Sequence, residues 1–151
     1  MPLSHAPARR RFIAAGAVLL AGASLAACAP MQAAAPARPN KVVFQVSDND
    51  PAKWGLALNN AYNVQADLGA DAVELEIVVY GPGINMLKAG SPAAARIASA
   101  MKAGIQVVAC ENTMTNQKLA KSDMLPDLGY VPAGVTQLMK RQQQGWSYIR
   151  P

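Results

Sequence analysis

The sequence has few of the side chains that most often carry catalysis or hold metals. Its 151 residues include one histidine, His5, and two cysteines, Cys28 and Cys110. His5 and Cys28 both lie in an N-terminal segment with the features of an export signal. The rest of the chain therefore has no imidazole for Ser-His-Asp or Cys-His catalysis, and one cysteine cannot form a Cys₂ or Cys₄ zinc site. We predict no metal and no cofactor.

Glycine-rich phosphate loops are missing as well. The segment Gly81-Pro82-Gly83 lacks the third glycine of a dinucleotide-binding fingerprint, and the sequence has no Gly-Lys-Ser/Thr. Both patterns work by bringing several backbone N–H groups up to a phosphate, which this segment does not offer in the required spacing. The sequence thus disfavours hydride transfer and nucleotide hydrolysis.

The formal charge of +5 is not concentrated as nucleic-acid binding requires. Three of the fourteen Lys and Arg residues are Arg9, Arg10 and Arg11, and all nine acidic residues follow Asn40. Without those three arginines, eleven cations face nine anions, and the closest cationic neighbours are pairs such as Lys140 and Arg141. Proteins that track a phosphate backbone need a basic stripe with interleaved aromatics. We therefore predict no nucleic-acid partner.

The N-terminus predicts export. Arg9 to Arg11 precede a short, mildly apolar run, 12–27, which is the arrangement of a secretory signal. Arg-Arg-Arg-Phe-Ile resembles a twin-arginine signal, by which folded proteins are exported, and ordinary unfolded export remains the alternative.

The end of the apolar run, Leu25-Ala-Ala-Cys28, resembles a lipobox, in which the cysteine becomes the lipidated first mature residue. Plain cleavage after an Ala-x-Ala triplet is the alternative, at 27–29 or 33–35, but each triplet is followed by a proline. The expected organisation is an export signal over 1–28, a flexible Ala/Pro tether over 29–40 and a domain over 41–151. Acylation of Cys28 would anchor the protein to a membrane in the periplasm.

From Lys41 onward, short apolar runs alternate with helical patterns. Such alternation predicts an α/β domain with a parallel sheet covered by helices on both faces. Asp50 followed by Pro51 indicates an N-cap and the first position of a helix. The predicted strands are 41–46, 73–80, 105–109, 131–133 and 146–149, and the predicted helices are 51–68, 84–88, 93–103, 112–121 and 134–144.

Cys110 is the leading candidate for a functional residue. It follows the third predicted strand, and ligands of open α/β sheets bind beyond the carboxyl ends of the strands. Glu111, Asn112 and Thr113 lead into a helix whose unpaired N–H groups would favour a thiolate, whereas a nearby Glu111 carboxylate would oppose it. The alternative is a cysteine that packs as a small buried apolar group.

Other polar or flexible positions are weaker candidates. Asp48 follows the first strand, and Gly81 and Gly83 follow the second, so all three belong to the same edge as Cys110 and are candidate binding residues. For Asp48, a role in stabilising the turn before the first helix is the favoured interpretation. Glu74 and Glu76 share one face of the second strand, and we interpret them as marking its solvated start.

Four segments of the domain resemble the DsrE/DsrF-like family of small sulfur-relay proteins. They are SDNDPAKWGLALNNAYN (47–63), VVYGPGINML (78–87), VVACENTM (107–114) and LPDLGYVPAGVTQLMKRQQQGWSYIRP (125–151). The resemblance implies a three-layer α/β/α fold on a mainly parallel sheet of about five strands. It also implies homo-oligomers, often trimers or hexamers, and a persulfide on the cysteine that matches Cys110. The well-understood relay members act in the cytoplasm with partner subunits, whereas this chain carries an export signal.

Two functions follow from these patterns. The first is an exported sulfur carrier or sulfurtransferase-like protein, in which Cys110 accepts sulfane sulfur from a donor protein and passes it to an acceptor. The second is a non-catalytic, membrane-tethered oligomeric or small-ligand-binding module in which Cys110 is inert. Accessibility of the Cys110 thiol to a small alkylating agent separates the two.

Overall fold

The computed structural model describes residues 38–151. The predicted export signal, Cys28 and the tether up to residue 37 lie outside the described residues. The strands are β1 (Asn40–Val46), β2 (Val73–Val79), β3 (Gln106–Cys110), β4 (Gly129–Val131) and β5 (Ser147–Ile149). The helices are α1 (Pro51–Leu68), α2 (Ala94–Lys102), α3 (Glu111–Asn116) and α4 (Gly134–Gln143), and two 3-10 helices span Gly81–Leu87 and Lys121–Asp123.

The five strands form one sheet in the order β4-β3-β2-β1-β5, and every neighbouring pair is parallel. The predicted α/β class with a parallel sheet is confirmed. β2 lies at the centre, and the side chains from Leu75 to Val79 are all buried. A strand covered on both faces reads as a continuous apolar run, which is why β2 was recognisable in the sequence.

The two faces of the sheet are covered unequally. The larger core packs α1 and α2 against residues such as Phe44, Leu75 and Ile77. On the other face α4 covers the sheet, and a smaller core forms there from Val43, Val78, Val108, Leu138 and Trp146. Burial of apolar surface on both faces, at roughly 25 cal/mol per Å², is the main stabilising contribution to this three-layer arrangement.

The start of α1 follows its predicted chemistry. The Asp50 side chain accepts a hydrogen bond from the Ala52 N–H at 2.8 Å, and Pro51 occupies the first turn. α1 has the predicted bounds, 51–68, and buries Trp54, Leu58 and Ala61 on one face. An N-cap of this kind contributes about 1 kcal/mol to helix stability.

Several local predictions differ from the structure. α3 begins at Glu111, with Cys110 rather than Asn112 or Thr113 in the N-cap position, and ends at Asn116 instead of 121. β4 lies at 129–131, two residues before its predicted position, because it pairs with the end of β3 in that register. β1 begins at Asn40, one residue before the predicted strand, and so includes the last residue of the expected tether.

The interpretation of Glu76 as part of a solvated strand start is wrong. Its side chain is 0% exposed. Glu74, two residues earlier on the same face, is partly exposed and forms an ion pair with Lys41 at 3.6 Å. The difference arises because α4 lies over Glu76, which a strand pattern alone cannot indicate.

Across residues 38–151, none of the helices is both long enough and apolar enough to span a lipid bilayer. The same part of the chain has no cluster of three or more His, Cys, Asp or Glu side chains positioned to hold a metal ion.

Candidate functional site

Cys110 is the last residue of β3 and directly precedes α3. At this position β3 pairs with β4, where Cys110 is in register with Val131. The carboxyl ends of all parallel strands meet at one edge of the sheet, so the chain reverses there into loops and helix starts. The strand therefore brings Cys110 to the edge at which α/β proteins bind ligands.

The sulfur of Cys110 lies between the starts of two helices. α3 begins immediately after it in the chain, and Gly134, the first residue of α4, donates its N–H to Sγ at 3.2 Å. The carbonyl oxygen of Pro132 is 4.0 Å from Sγ and can accept the thiol hydrogen. Cys110 is 4% exposed. The sulfur is thus buried, but its polar neighbours are hydrogen-bonding backbone groups.

These neighbours favour the ionised thiol. Burial raises the pKa of the Cys110 thiol, but the Thr113 hydroxyl and the N–H groups of Gly134, Thr113 and Asn112 together lower it by more. The net effect is a pKa below the usual value of a cysteine. Of these groups, Gly134 donates directly to Sγ, whereas the Asn112 N–H donates to the Pro132 carbonyl at 3.1 Å. Donors at helix starts stabilise a negative charge, both by hydrogen bonding and through the helix dipole. The site therefore favours a thiolate, or another sulfur anion, more than the surroundings of an ordinary cysteine do.

Thr113 connects this donor set to β2. Its Oγ1 accepts a hydrogen bond from the Gly81 N–H at 2.9 Å, which leaves the hydroxyl hydrogen free to point at Cys110. Gly81 has a φ of +55°, a conformation that side chains with a Cβ rarely adopt. The side-chain amide of Gln117 donates to the Gly81 carbonyl at 3.4 Å. Gly81, Asn112 and Thr113 are thereby brought together with Cys110, as their shared edge implied.

The Glu111 and Asp48 carboxylates are held in ion pairs. The Glu111 carboxylate pairs with Lys121 at 3.2 Å. Asp48 follows β1, which is two strands away from β3, and it pairs with Lys53 of α1 at 3.1 Å and with Arg150, directly after β5, at 3.7 Å.

Gly83 has a packing role beside the end of β1. It is buried, and its N–H donates to the Ser47 carbonyl at 3.0 Å. A Cβ on Gly83 would lie 2.7 Å from the Val46 carbonyl oxygen. The close approach of these two backbones explains why glycine is needed there.

Sequence reasoning did not find Gly134 or Tyr80. A Cβ on Gly134 would lie 2.9 Å from Cβ and 3.0 Å from Cδ1 of Tyr80, so the start of α4 rests directly on that side chain. Tyr80 is half-buried, and burial together with the neighbouring Tyr148 raises the pKa of its phenol. A glycine at the first position of a helix was the available signal, since glycine has low helix propensity and needs a packing reason there.

The fold and the site define a small α/β protein with one cysteine at the carboxyl end of the third strand of a parallel sheet. The model of the DsrE/DsrF-like family matches residues 40–151, and the chain belongs to that family. The predicted family and its fold are thereby confirmed.

The solved structures that are similar to this chain include two proteins of unknown function. A protein of unknown function from Methanobacterium thermoautotrophicum, MTH1491, is 32% identical, with a TM-score of 0.71 over 74% of this chain and 99% of its own. A conserved protein of unknown function from Bacteroides thetaiotaomicron, BT1422, is 13% identical, with a TM-score of 0.60 over 74% and 95%, and shows the fold alone. No curated protein matches the sequence.

Proposed function

We propose that the protein is a sulfane-sulfur carrier, and that Cys110 holds the sulfur as a persulfide. The observation that carries this proposal is the position of the Cys110 sulfur at the starts of α3 and α4, where the Gly134 N–H donates to it and groups of α3 help to lower the pKa of the thiol. A persulfide has a terminal anionic sulfur, so donors that favour a thiolate also favour the loaded form. Membership in the DsrE/DsrF-like family agrees with a role in sulfur relay.

The proposed loading step needs no external oxidant or reductant. The Cys110 thiolate attacks the terminal sulfur of an inorganic polysulfide, and a new S–S bond forms. The bond between that sulfur and the rest of the polysulfide breaks, and its electron pair leaves with the shortened chain, which takes up one proton. In the release step an acceptor thiolate attacks the outer sulfur, and Cys110 departs as a thiolate. A lowered thiol pKa makes Cys110 a good leaving group.

The burial of Cys110 favours a second candidate, a non-catalytic module. Since the residue is 4% exposed, a donor reaches the sulfur only if a neighbouring group moves. If the neighbouring groups stay in place, Cys110 is inert, and the fold serves assembly or small-ligand binding instead. Chemical access to the sulfur therefore decides between the two functions.

Incubation with polysulfide is expected to add the mass of one sulfur atom to the peptide that contains Cys110. The loading rate should rise with pH and level off at a midpoint below that of an ordinary cysteine, because the thiolate is the nucleophile. Peptide mass spectrometry measures both the site and the rate. Cys110→Ser is the matched control and should leave that peptide unmodified.

The two candidates predict opposite results for thiol access. A carrier reacts with a small alkylating agent in the native state. An inert Cys110 reacts only after unfolding in denaturant. Reaction of the unfolded protein also shows that the alkylating agent is active. No sulfur adduct together with no native alkylation would refute the carrier and support the module.

We also propose that acylated Cys28 anchors the protein in the periplasm and that the domains associate as trimers or hexamers. The signal-like N-terminus and the family resemblance support these two proposals. The exposed apolar side chains of Val135 and Met139 also support association of the domains. They lie one turn apart on α4 and are 62% and 48% exposed. Cys28→Ala should move the protein from the membrane fraction to the soluble fraction, where sedimentation gives its mass. A variant that stays in the membrane contradicts the anchor, and a monomer contradicts the oligomer.

A further inference from the structure

A charged side chain is buried in the centre of the sheet, on the face covered by α4. Glu76 belongs to β2 and is 0% exposed. Val43 and Val78, its neighbours on that face, belong to the smaller apolar core. An isolated carboxylate is costly in such surroundings, so Glu76 requires partners that compensate for its lost hydration.

Both partners of Glu76 come from α4. The Gln137 side-chain amide donates to Oε1 at 2.7 Å, and the Arg141 guanidinium donates to Oε2 in an ion pair. Gln137 and Arg141 are four residues apart, which places them on the same side of the helix. The Arg141 guanidinium also lies 4.4 Å from the centre of the Trp146 ring. The carboxylate thus binds the middle and the C-terminal half of α4.

The N-terminal end of the same helix contacts Cys110. Gly134 rests on Tyr80, which directly follows β2, and donates its N–H to the Cys110 sulfur. From Gly134 to Arg141 the helix rises about 10 Å, at ~1.5 Å per residue. α4 therefore runs antiparallel to β2 and is attached to it at two points, by the ion pair at one and by the close Gly134 contact at the other.

We infer that Glu76 is a positioning residue for Cys110: through Gln137 and Arg141 it holds α4 in the register that keeps the Gly134 N–H on the sulfur. The side chain of Glu76 does not touch the sulfur. An apolar contact alone would allow α4 to slide or rotate on the sheet, whereas a buried, directional ion pair is satisfied in one position. The inference deepens the proposed function and rests on it for its role in sulfur transfer.

The experiment is a pH titration of the Cys110 thiolate in the full chain. The ultraviolet absorbance of the thiolate is read as the difference between each variant and the same variant with Cys110→Ser, which cancels Cys28 and the tyrosines. Glu76→Gln is expected to shift the titration midpoint upward, since the amide keeps the volume but loses the ion pair. Glu74→Gln, on the same strand and face but partly exposed, is the matched control and should leave the midpoint unchanged.

A second pair of variants covers the possibility that Glu76→Gln does not fold. Gln137→Ala removes one of the two links and should give a smaller upward shift, whereas Gln143→Ala, on the same helix but exposed, should give none. A folded Glu76→Gln or Gln137→Ala variant that loses stability but keeps the wild-type midpoint would overturn the inference. Because the readout is ionisation and not sulfur loading, the positioning role can hold even if Cys110 never carries sulfur.

Discussion

Replacement of Arg141 by methionine is expected to lower the free energy of unfolding by about 3–5 kcal/mol, since it leaves the buried Glu76 carboxylate without its charged partner. Methionine keeps much of the length and the apolar packing of the arginine stem. The decrease in the free energy of unfolding is therefore due mainly to the missing charge. Gln137 alone cannot compensate, because a neutral amide satisfies only one of the two carboxylate oxygens. Chemical denaturation monitored by tryptophan fluorescence measures the change.

The double variant Glu76→Met with Arg141→Met provides the control for this prediction. Buried ion pairs that are replaced as a unit by apolar side chains of similar size often cost little or nothing. The double variant should therefore be more stable than Arg141→Met alone. If Arg141→Met alone were as stable as the wild type, water or another group would be stabilising the Glu76 carboxylate in place of Arg141. The ion pair would then not hold α4 against Glu76.

Replacement of Gly134 by valine is expected to lower the free energy of unfolding by about 1–3 kcal/mol, the usual cost of overpacking. The new Cβ would lie 2.9 Å from Cβ of Tyr80, closer than two carbons approach, so the first turn of α4 must move away from the sheet. The same movement takes the Gly134 N–H off the Cys110 sulfur. The thiol pKa should therefore rise along with the loss of stability, and sulfur loading near neutral pH should slow.

Gly90→Val is the matched control, because a Cβ at Gly90 meets no atom within 4 Å. It should change neither the free energy of unfolding nor the thiolate titration. A Gly134→Val variant with normal stability and an unshifted thiol pKa would show that α4 does not set the ionisation of Cys110. Denaturation and the difference titration described for Glu76 measure the two effects.

Much of the fold could be predicted because its signals are local. The Asp50-Pro51 cap and the spacing of Trp54, Leu58 and Ala61 define α1 without reference to the rest of the chain. The apolar run of β2 indicates a strand covered on both faces. α3 was placed less well, since its start depends on how the chain leaves β3 at Cys110 rather than on a capping side chain.

The candidate site was predictable only in part. Cys110, Asn112 and Thr113 are adjacent in sequence, and Gly81 belongs to the same edge of the sheet, so their proximity followed from the strand pattern. The N–H group of Gly134, by contrast, comes from a residue 24 positions after Cys110 in the chain, at the start of a helix. No local pattern connects that helix to the thiol.

By itself the sequence determined the parallel α/β class, the position of Cys110 at the end of β3, and the lack of any histidine in the domain. Those properties depend on short-range periodicity and on composition. Only the tertiary structure decided that Glu76 is buried and that α4 delivers an N–H group to the sulfur. The physical reason is that strand periodicity tells which side chains share a face, whereas the covering of that face depends on where a helix distant in sequence comes to pack.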